Sequence, residues 1–175
     1  MTQKANPVIR HAAIDDAALL AELGARTFSE TFADVNRPED MAAYLASSFS
    51  QAQQAAELAD PESMFLIAEV DGVAAGYAKL RPGDAPDVVA GAKPIELVRL
   101  YVSRQWLGLG LGEALMRACM DEAKSKGYRT LWLGVWEHNG RARAFYRKWD
   151  FKDVGEHIFQ LGDDAQTDIL MERAI

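Results

Sequence analysis

The 175-residue chain holds one cysteine, Cys119. A single thiol excludes an internal disulfide framework and any cysteine-clustered zinc site. No run approaches the ~20 consecutive apolar residues of a membrane span, and residues 1–11 lack the apolar centre of a secretory leader. These absences lead us to expect a cytoplasmic protein with no membrane partner and no metal. Basic residues are in deficit, 19 Lys and Arg against 26 Asp and Glu, for a net charge of −7. That balance argues against a protein that lives on nucleic acid. Internal repeats and low-complexity segments are missing too. What is present is 49% hydrophobic and 26% charged, the composition of an ordinary globular chain, and residues 1–175 are expected to form one domain.

The charge is unevenly placed. Residues 99–152 carry 11 basic and 5 acidic groups, whereas residues 1–98 carry 7 basic and 15 acidic. The first stretch favours an anionic ligand and the second a cationic one. Helical spacing of Leu19, Leu20, Leu23 and Thr27 predicts a helix capped by Asp15 and Asp16, with Phe28 and Phe32 just beyond. Pro38 opens a second helical region containing Tyr44 and Leu45, and residues 51–59 form a third. Residues 64–70 and 73–80 read as strands joined by the tight-turn pair Asp71-Gly72. A Pro-, Gly- and Asp-rich loop, 81–94, leads to a strand at 95–102. A glycine-rich turn and a helix to Ser125 follow, then strand 129–136, a short helix from Asn139 to Lys148, and closing strands at 152–160 and 167–173. A strand–helix–strand step inside a meander requires at least one parallel pair. The expected fold is mixed α/β: a twisted, mostly antiparallel sheet of about seven strands with helices on both faces.

The most informative segment runs Gln105-Trp106-Leu107-Gly108-Leu109-Gly110-Leu111-Gly112-Glu113. Glycines at alternate positions leave no Cβ to block a ligand from the main-chain N–H groups. The helix that starts here adds unpaired N–H groups and its positive dipole end, which suits a diphosphate. A dinucleotide fingerprint would need glycine where Glu113 stands, and a Walker A loop would need Gly-Lys-Ser/Thr.

With these residues in view, the chain resembles the GNAT superfamily of acyl-CoA-dependent N-acetyltransferases. Gln105 to Gly110 matches the cofactor motif Q/R-x-x-G-x-G/A. The strand Glu96-Leu97-Val98-Arg99-Leu100-Tyr101-Val102 is similar to the family's fourth strand. Asn139-Gly140-Arg141-Ala142-Arg143-Ala144-Phe145-Tyr146 matches N-x-x-A-x-x-F-Y. Order and spacing agree over roughly residues 8 to 174, and the wording is closest to bacterial polyamine- and peptide-acetylating members. Two departures stand out. Leu107 and Leu109 replace the usual basic residues of the turn, leaving more of the phosphate contact to backbone amides. Asp150 replaces a glycine after the last helix.

The resemblance implies a sheet splayed between strands four and five, with acetyl-CoA as co-substrate lying in the gap. It assigns the acetyl and pantetheine contacts to backbone atoms of Leu100, Tyr101 and Val102. The diphosphate contacts fall to Gly108, Leu109, Gly110, Leu111, Gly112 and Glu113. Tyr146 becomes the general acid that protonates the leaving thiolate. Asn139 is either the cap of its helix or a cofactor ligand. Glu96 is a candidate general base, His138 lies beside the cofactor junction, and some amines lose their proton simply on entering a low-dielectric cleft. His11 and His157 show no partner pattern in the sequence, and Cys119 falls on an apolar helix face. Phe28, Phe32, Tyr44 and the 81–94 loop would bound the acceptor pocket. The implied acceptor is a polyamine, another small cationic amine or a peptide N-terminus. A non-catalytic acetyl-CoA sensor is the alternative from another class. Dimers are common in the family, so a homodimer is an assembly the resemblance allows.

Overall fold

The computed structural model describes residues 5–175. Seven strands form one sheet: β1 (Val8–His11), β2 (Met64–Val70), β3 (Val73–Pro82), β4 (Pro94–Val102), β5 (Thr130–Trp136), β6 (Lys152–Leu161) and β7 (Asp164–Ala174). Their spatial order is β1-β2-β3-β4-β5-β7-β6, with one parallel pair, β4 beside β5, and antiparallel pairing elsewhere. The helices are α1 (Ala17–Phe32), α2 (Pro38–Ser48), α3 (Gln51–Ala59), α4 (Leu111–Ser125) and α5 (Gly140–Lys148). Among the described residues no helix is long and apolar enough to cross a membrane.

Local chemistry explains the element ends. Asp71 and Gly72 both take positive φ, 51° and 77°, which the tight β2–β3 turn needs. Ser50 caps α3 by accepting the Gln53 N–H at 3.1 Å, and Pro38 opens α2. The expected acidic cap of α1 is replaced by a different arrangement. The Asp16 carboxylate turns back to accept the Ala13 N–H at 2.7 Å and pairs with Arg10 at 2.8 Å. Arg10 also reaches Glu69, so Arg10 ties β1 to β2, while Asp16 closes the short turn ahead of α1.

Side-chain alternation divides the sheet's two faces. Leu131, Leu133 and Val135 of β5 pack with Leu97, Met171 and the α4 residues Leu111, Leu115 and Cys119 in the main core. The opposite face carries α1, α2 and α3, where Leu20, Leu23, Ile67 and Tyr77 pack together beside a second group of Phe28, Met41, Phe49 and Leu161. A buried ion network ties α3 to this face. Glu57 accepts from Lys79 at 2.8 Å and from Arg99 at 2.7 Å, both cations being almost fully buried. Burial opposes the charge on Glu57, but the hydrogen bonds from Arg99 and Lys79 outweigh it and bring its pKa down to about 2.

Candidate active site

The site begins where two strands part. Parallel pairing of β4 with β5 covers Pro94–Thr130, Ile95–Leu131 and Glu96–Trp132 only. On the other edge of β4, Leu97 faces Leu80 and Arg99 faces Lys79, so Val98 is an extra residue, a bulge. A bulge bends its strand and raises the local twist. Immediately past this one, Leu100 to Val102 pair only with β3, and Leu133 to Trp136 pair only with β7. The two strands therefore present open backbone edges to each other, the geometry that accepts an added extended chain.

The glycine turn closes one end of this gap. Ser103 donates to the Ala75 carbonyl at 2.8 Å, and Trp106 and Leu107 fold back on Ser103 and Arg104. Gly108 and Gly110 then take φ of 77° and 93°, and Gly110 starts α4. The first helical N–H with a helical acceptor is that of Ala114. Among the described residues, the N–H groups of Gly108, Leu109, Gly110, Leu111 and Gly112 meet no backbone acceptor, so they stand ready for an anion. Leu109 packs on the core and its carbonyl accepts from Ala5, while Leu107 lines a cavity of about 280 Å³. Val102, Arg104, Asn139, Arg141, Glu30 and Thr31 complete that cavity. The two leucines that replace basic residues thus brace the turn. Glu113 lies exposed in the first turn of α4.

Across the gap stands α5. Asn139 caps it by accepting the Ala142 N–H at 3.2 Å and also lines the cavity, so the two readings of this residue describe one position. Arg143 and Arg147 are drawn to Asp153 on β6 at 3.2 and 3.1 Å, which leaves Arg141 as the α5 cation in the cavity wall. Tyr146 is buried against Phe145 and Phe151, with ring centroids 5.5 and 5.7 Å away. The helix end locks it there. Phe151 donates to the Tyr146 carbonyl and Asp150 to that of Arg147, the double bond of a Schellman motif whose apolar contact is the Tyr146–Phe151 pair. The motif demands a left-handed residue, and Asp150 supplies it at φ 62°, which explains why glycine is usual there. Burial lifts the Tyr146 phenol above the ordinary tyrosine range, helped by its neighbour Cys119. The hydroxyl accordingly keeps its proton at neutral pH.

Leu100 and Val102 pack toward α4, and Tyr101 points to the other face, wedged among Phe28, Phe49 and Tyr77. Glu96 occupies the last closed rung, opposite Trp132, and its Oε2 accepts from Arg81 at 2.9 Å. The carboxylate is thus engaged at the vertex of the gap, away from the open edge at Leu100–Val102. Cys119 is fully buried, its thiol pushed up to about 12 by burial, and serves packing. His138 stacks edge-on against Trp136 at 5.2 Å, and His11 contacts Glu122 at 3.1 Å. His157, for which the sequence offered no partner, faces Asp168 across the β6–β7 pair at 3.6 Å. Sequence reasoning missed Asp168 altogether. A detectable signal was Gly134, a glycine inside an apolar strand, which often marks close approach of other groups.

Comparison with known proteins agrees with this geometry. The Acetyltransferase (GNAT) family model matches residues 24–151. An uncharacterized N-acetyltransferase of Lactobacillus delbrueckii subsp. lactis is 38% identical over 149 residues, 85% of this chain and 86% of that one. The structure of the PaiA N-acetyltransferase of Thermoplasma acidophilum with coenzyme A superposes with a TM-score of 0.78 at 22% identity, covering 97% of this chain and 99% of that one. The YncA acetyltransferase of Salmonella typhimurium with acetyl-CoA gives a TM-score of 0.67 at 24% identity, over 97% and 94% of the two chains. An open strand pair, a glycine turn with bare N–H groups and a family match across most of the length lead to one conclusion: the chain belongs to the GNAT family and is an acetyl-CoA-dependent N-acetyltransferase.

Proposed function

We propose that this enzyme acetylates a primary amine that is cationic in solution: a polyamine, another small cationic amine or a peptide N-terminus. The observation that carries the reading is the gap between β4 and β5, which has the glycine turn at one end and the protonated Tyr146 beside it. The excess of acid over residues 1–98, which supply the helices of the opposite face, supports a cationic acceptor.

When bound, acetyl-CoA supplies an activated acetyl group on a good leaving sulfur. The N–H groups of Gly108 through Gly112, with that of Glu113, would hold its diphosphate. Arg141 and Asn139 line a cavity that meets this turn at Leu107. Backbone atoms of Leu100, Tyr101 and Val102 would hold the acetyl and pantetheine parts as an added strand, and an N–H there would polarise the carbonyl. Tyr146 Oη would give its proton to the departing sulfur. Glu96 stays a candidate for taking the amine's proton, provided that Arg81 releases it. The presence of Tyr146 at the motif's tyrosine position supports a catalyst over a sensor that merely holds the coenzyme. The supply of acetyl-CoA makes the cytoplasm the expected place of work.

The test is thiol release from acetyl-CoA across polyamines, aminoglycosides, amino acids and peptides, at several pH values and salt concentrations. The reading expects turnover with at least one cationic amine and a KM that rises with ionic strength. Tight coenzyme binding without release of thiol for any amine would overturn it in favour of a sensor.

A further inference from the structure

On the α1–α2 face of the sheet, β5 presents Trp132, Gly134 and Trp136. Their partners on β7 are Glu172, Leu170 and Asp168, and β6 adds Gly155, His157 and Phe159. Two walls rise from this floor. The 81–94 loop forms one, with Val89 packed on Trp132 and Leu170, and Val88 lying against Gly155. Half-buried aromatic rings form the other: Phe32 meets Trp136 edge-on at 6.0 Å, and Tyr44 meets Phe159 at 5.4 Å. Between the walls lie exposed Gly134, exposed His157 and, beneath them, Asp168, which is only 9% exposed.

Gly134 matters for the space it leaves. A Cβ on it would stand 3.0 Å from His157 Nε2 and 3.2 Å from Asp168 Oδ2. The bare backbone therefore opens a recess bounded by an imidazole nitrogen and a carboxylate oxygen. Gly134 belongs to the part of β5 that has parted from β4, so the recess sits on the lip of the gap. The geometry points to the His157–Asp168 pair as the acceptor subsite, where Asp168 receives the ammonium group and His157 takes its proton. This inference rests on the acetyltransferase reading and deepens it.

In this step one N–H bond of R–NH3+ breaks and one forms on His157 Nε2. The amine keeps the lone pair with which it attacks, and the imidazolium faces the Asp168 carboxylate until the proton passes to water. Of the other titratable groups on this face, Tyr44 of α2 lies within electrostatic reach of Asp168, His138 stacks on Trp136, and Glu172 accepts from Gly91. With Glu172 engaged by the Gly91 N–H, Asp168 among aromatic rings fits one primary ammonium on an apolar or flat body better than an extended polycation.

The probe is 2-phenylethylamine, with spermidine as the polycation. NMR of the protein carrying 13C-labelled histidine reads His157 directly, with His11, on β1, as the internal reference and His157→Gln as the assignment. The amine should shift the His157 signal saturably in the wild type and without coenzyme. Asp168→Asn and Gly134→Val, which removes the carboxylate or fills the recess, should abolish the shift. In turnover, Asp168→Asn should raise the amine KM at least tenfold with acetyl-CoA affinity unchanged. His157→Gln should lose most activity at neutral pH and recover as rising pH supplies free amine. An unmoved His157 signal, an unchanged KM in Asp168→Asn, or a pH profile that shifts with Glu96→Gln in place of His157→Gln would overturn the assignment. A stronger response to spermidine would overturn the apolar-body preference. Should acetyl-CoA fail to bind at all, the transferase reading falls, while the amine-induced His157 shift still judges the pair by itself.

Discussion

Tyr146→Phe removes one oxygen atom from a fully packed position. The ring stays in contact with Phe145 and Phe151, and the Schellman hydrogen bonds that hold it come from backbone, so the fold should be intact. What is lost is a proton held at Oη. Because burial raises the phenol's pKa above its ordinary value, the wild type carries that proton throughout the neutral and mildly alkaline range. Loss of a positioned acid costs about 10²-fold in turnover, equivalent to about 2.7 kcal/mol of barrier. Acetyl-CoA contacts in this account are main-chain contacts, so Kd for the coenzyme should change less than about twofold, well under the ~1.4 kcal/mol of a tenfold effect. Single-turnover mixing with rapid quench isolates the chemical step, and calorimetry gives Kd. Wild-type single-turnover rates in Tyr146→Phe, with normal circular dichroism, would refute the role of Tyr146.

Other consequences concern stability and follow from named contacts. Glu57 has a folded pKa near 2 against 4.5 unperturbed, so its contribution is present above pH 4.5 and is lost as pH falls from about 4.5 toward 2. The difference corresponds to roughly 3 kcal/mol as an upper figure, because burial of Lys79 lowers that ammonium's pKa and works against the sum. Urea midpoints measured across this window should fall steeply for the wild type and much less for Glu57→Gln; equal slopes would remove Glu57 as the cause. Asp150→Gly relieves a left-handed residue at φ 62° and should stabilise by about 1 kcal/mol, a rise of about 2–4 °C in Tm. An unchanged or lower Tm would contradict the helix-end analysis.

Much of the fold can be read from local pattern. The Asp71-Gly72 turn, the apolar runs of β2 and β3 on either side of it and the apolar run of β5 each carry their own signal. The glycine turn and Tyr146 are legible for the same reason, since a few adjacent residues define each motif. Long-range pairing leaves no such trace. His157 and Asp168 meet only because β6 and β7 pair in one register, and a one-residue slip would put them on opposite faces. Glu57 lies on a Gln- and Ala-rich helix with no local sign of its partners, yet it closes a buried network with Lys79 and Arg99, residues in apolar strands. The bulge at Val98, which opens the gap, has no glycine or proline to announce it. Asp16 has the type and position of a cap for α1, but its carboxylate holds the Ala13 N–H behind it and Arg10 beside it, with no bond into α1.

The most direct measurement is a calorimetric titration of acetyl-CoA into the wild type and into Gly112→Asp. A Cβ at Gly112 meets only the Phe145 ring at 3.5 Å, and an acid in the first turn of α4 suits the helix dipole, so the variant should fold. The added carboxylate would stand among the N–H groups assigned to the diphosphate and should weaken binding by roughly tenfold or more. One coenzyme bound per wild-type chain, with that loss in the variant, is the expected result. No heat with the wild type, or equal affinity in the two proteins, would contradict the assignment of the glycine turn.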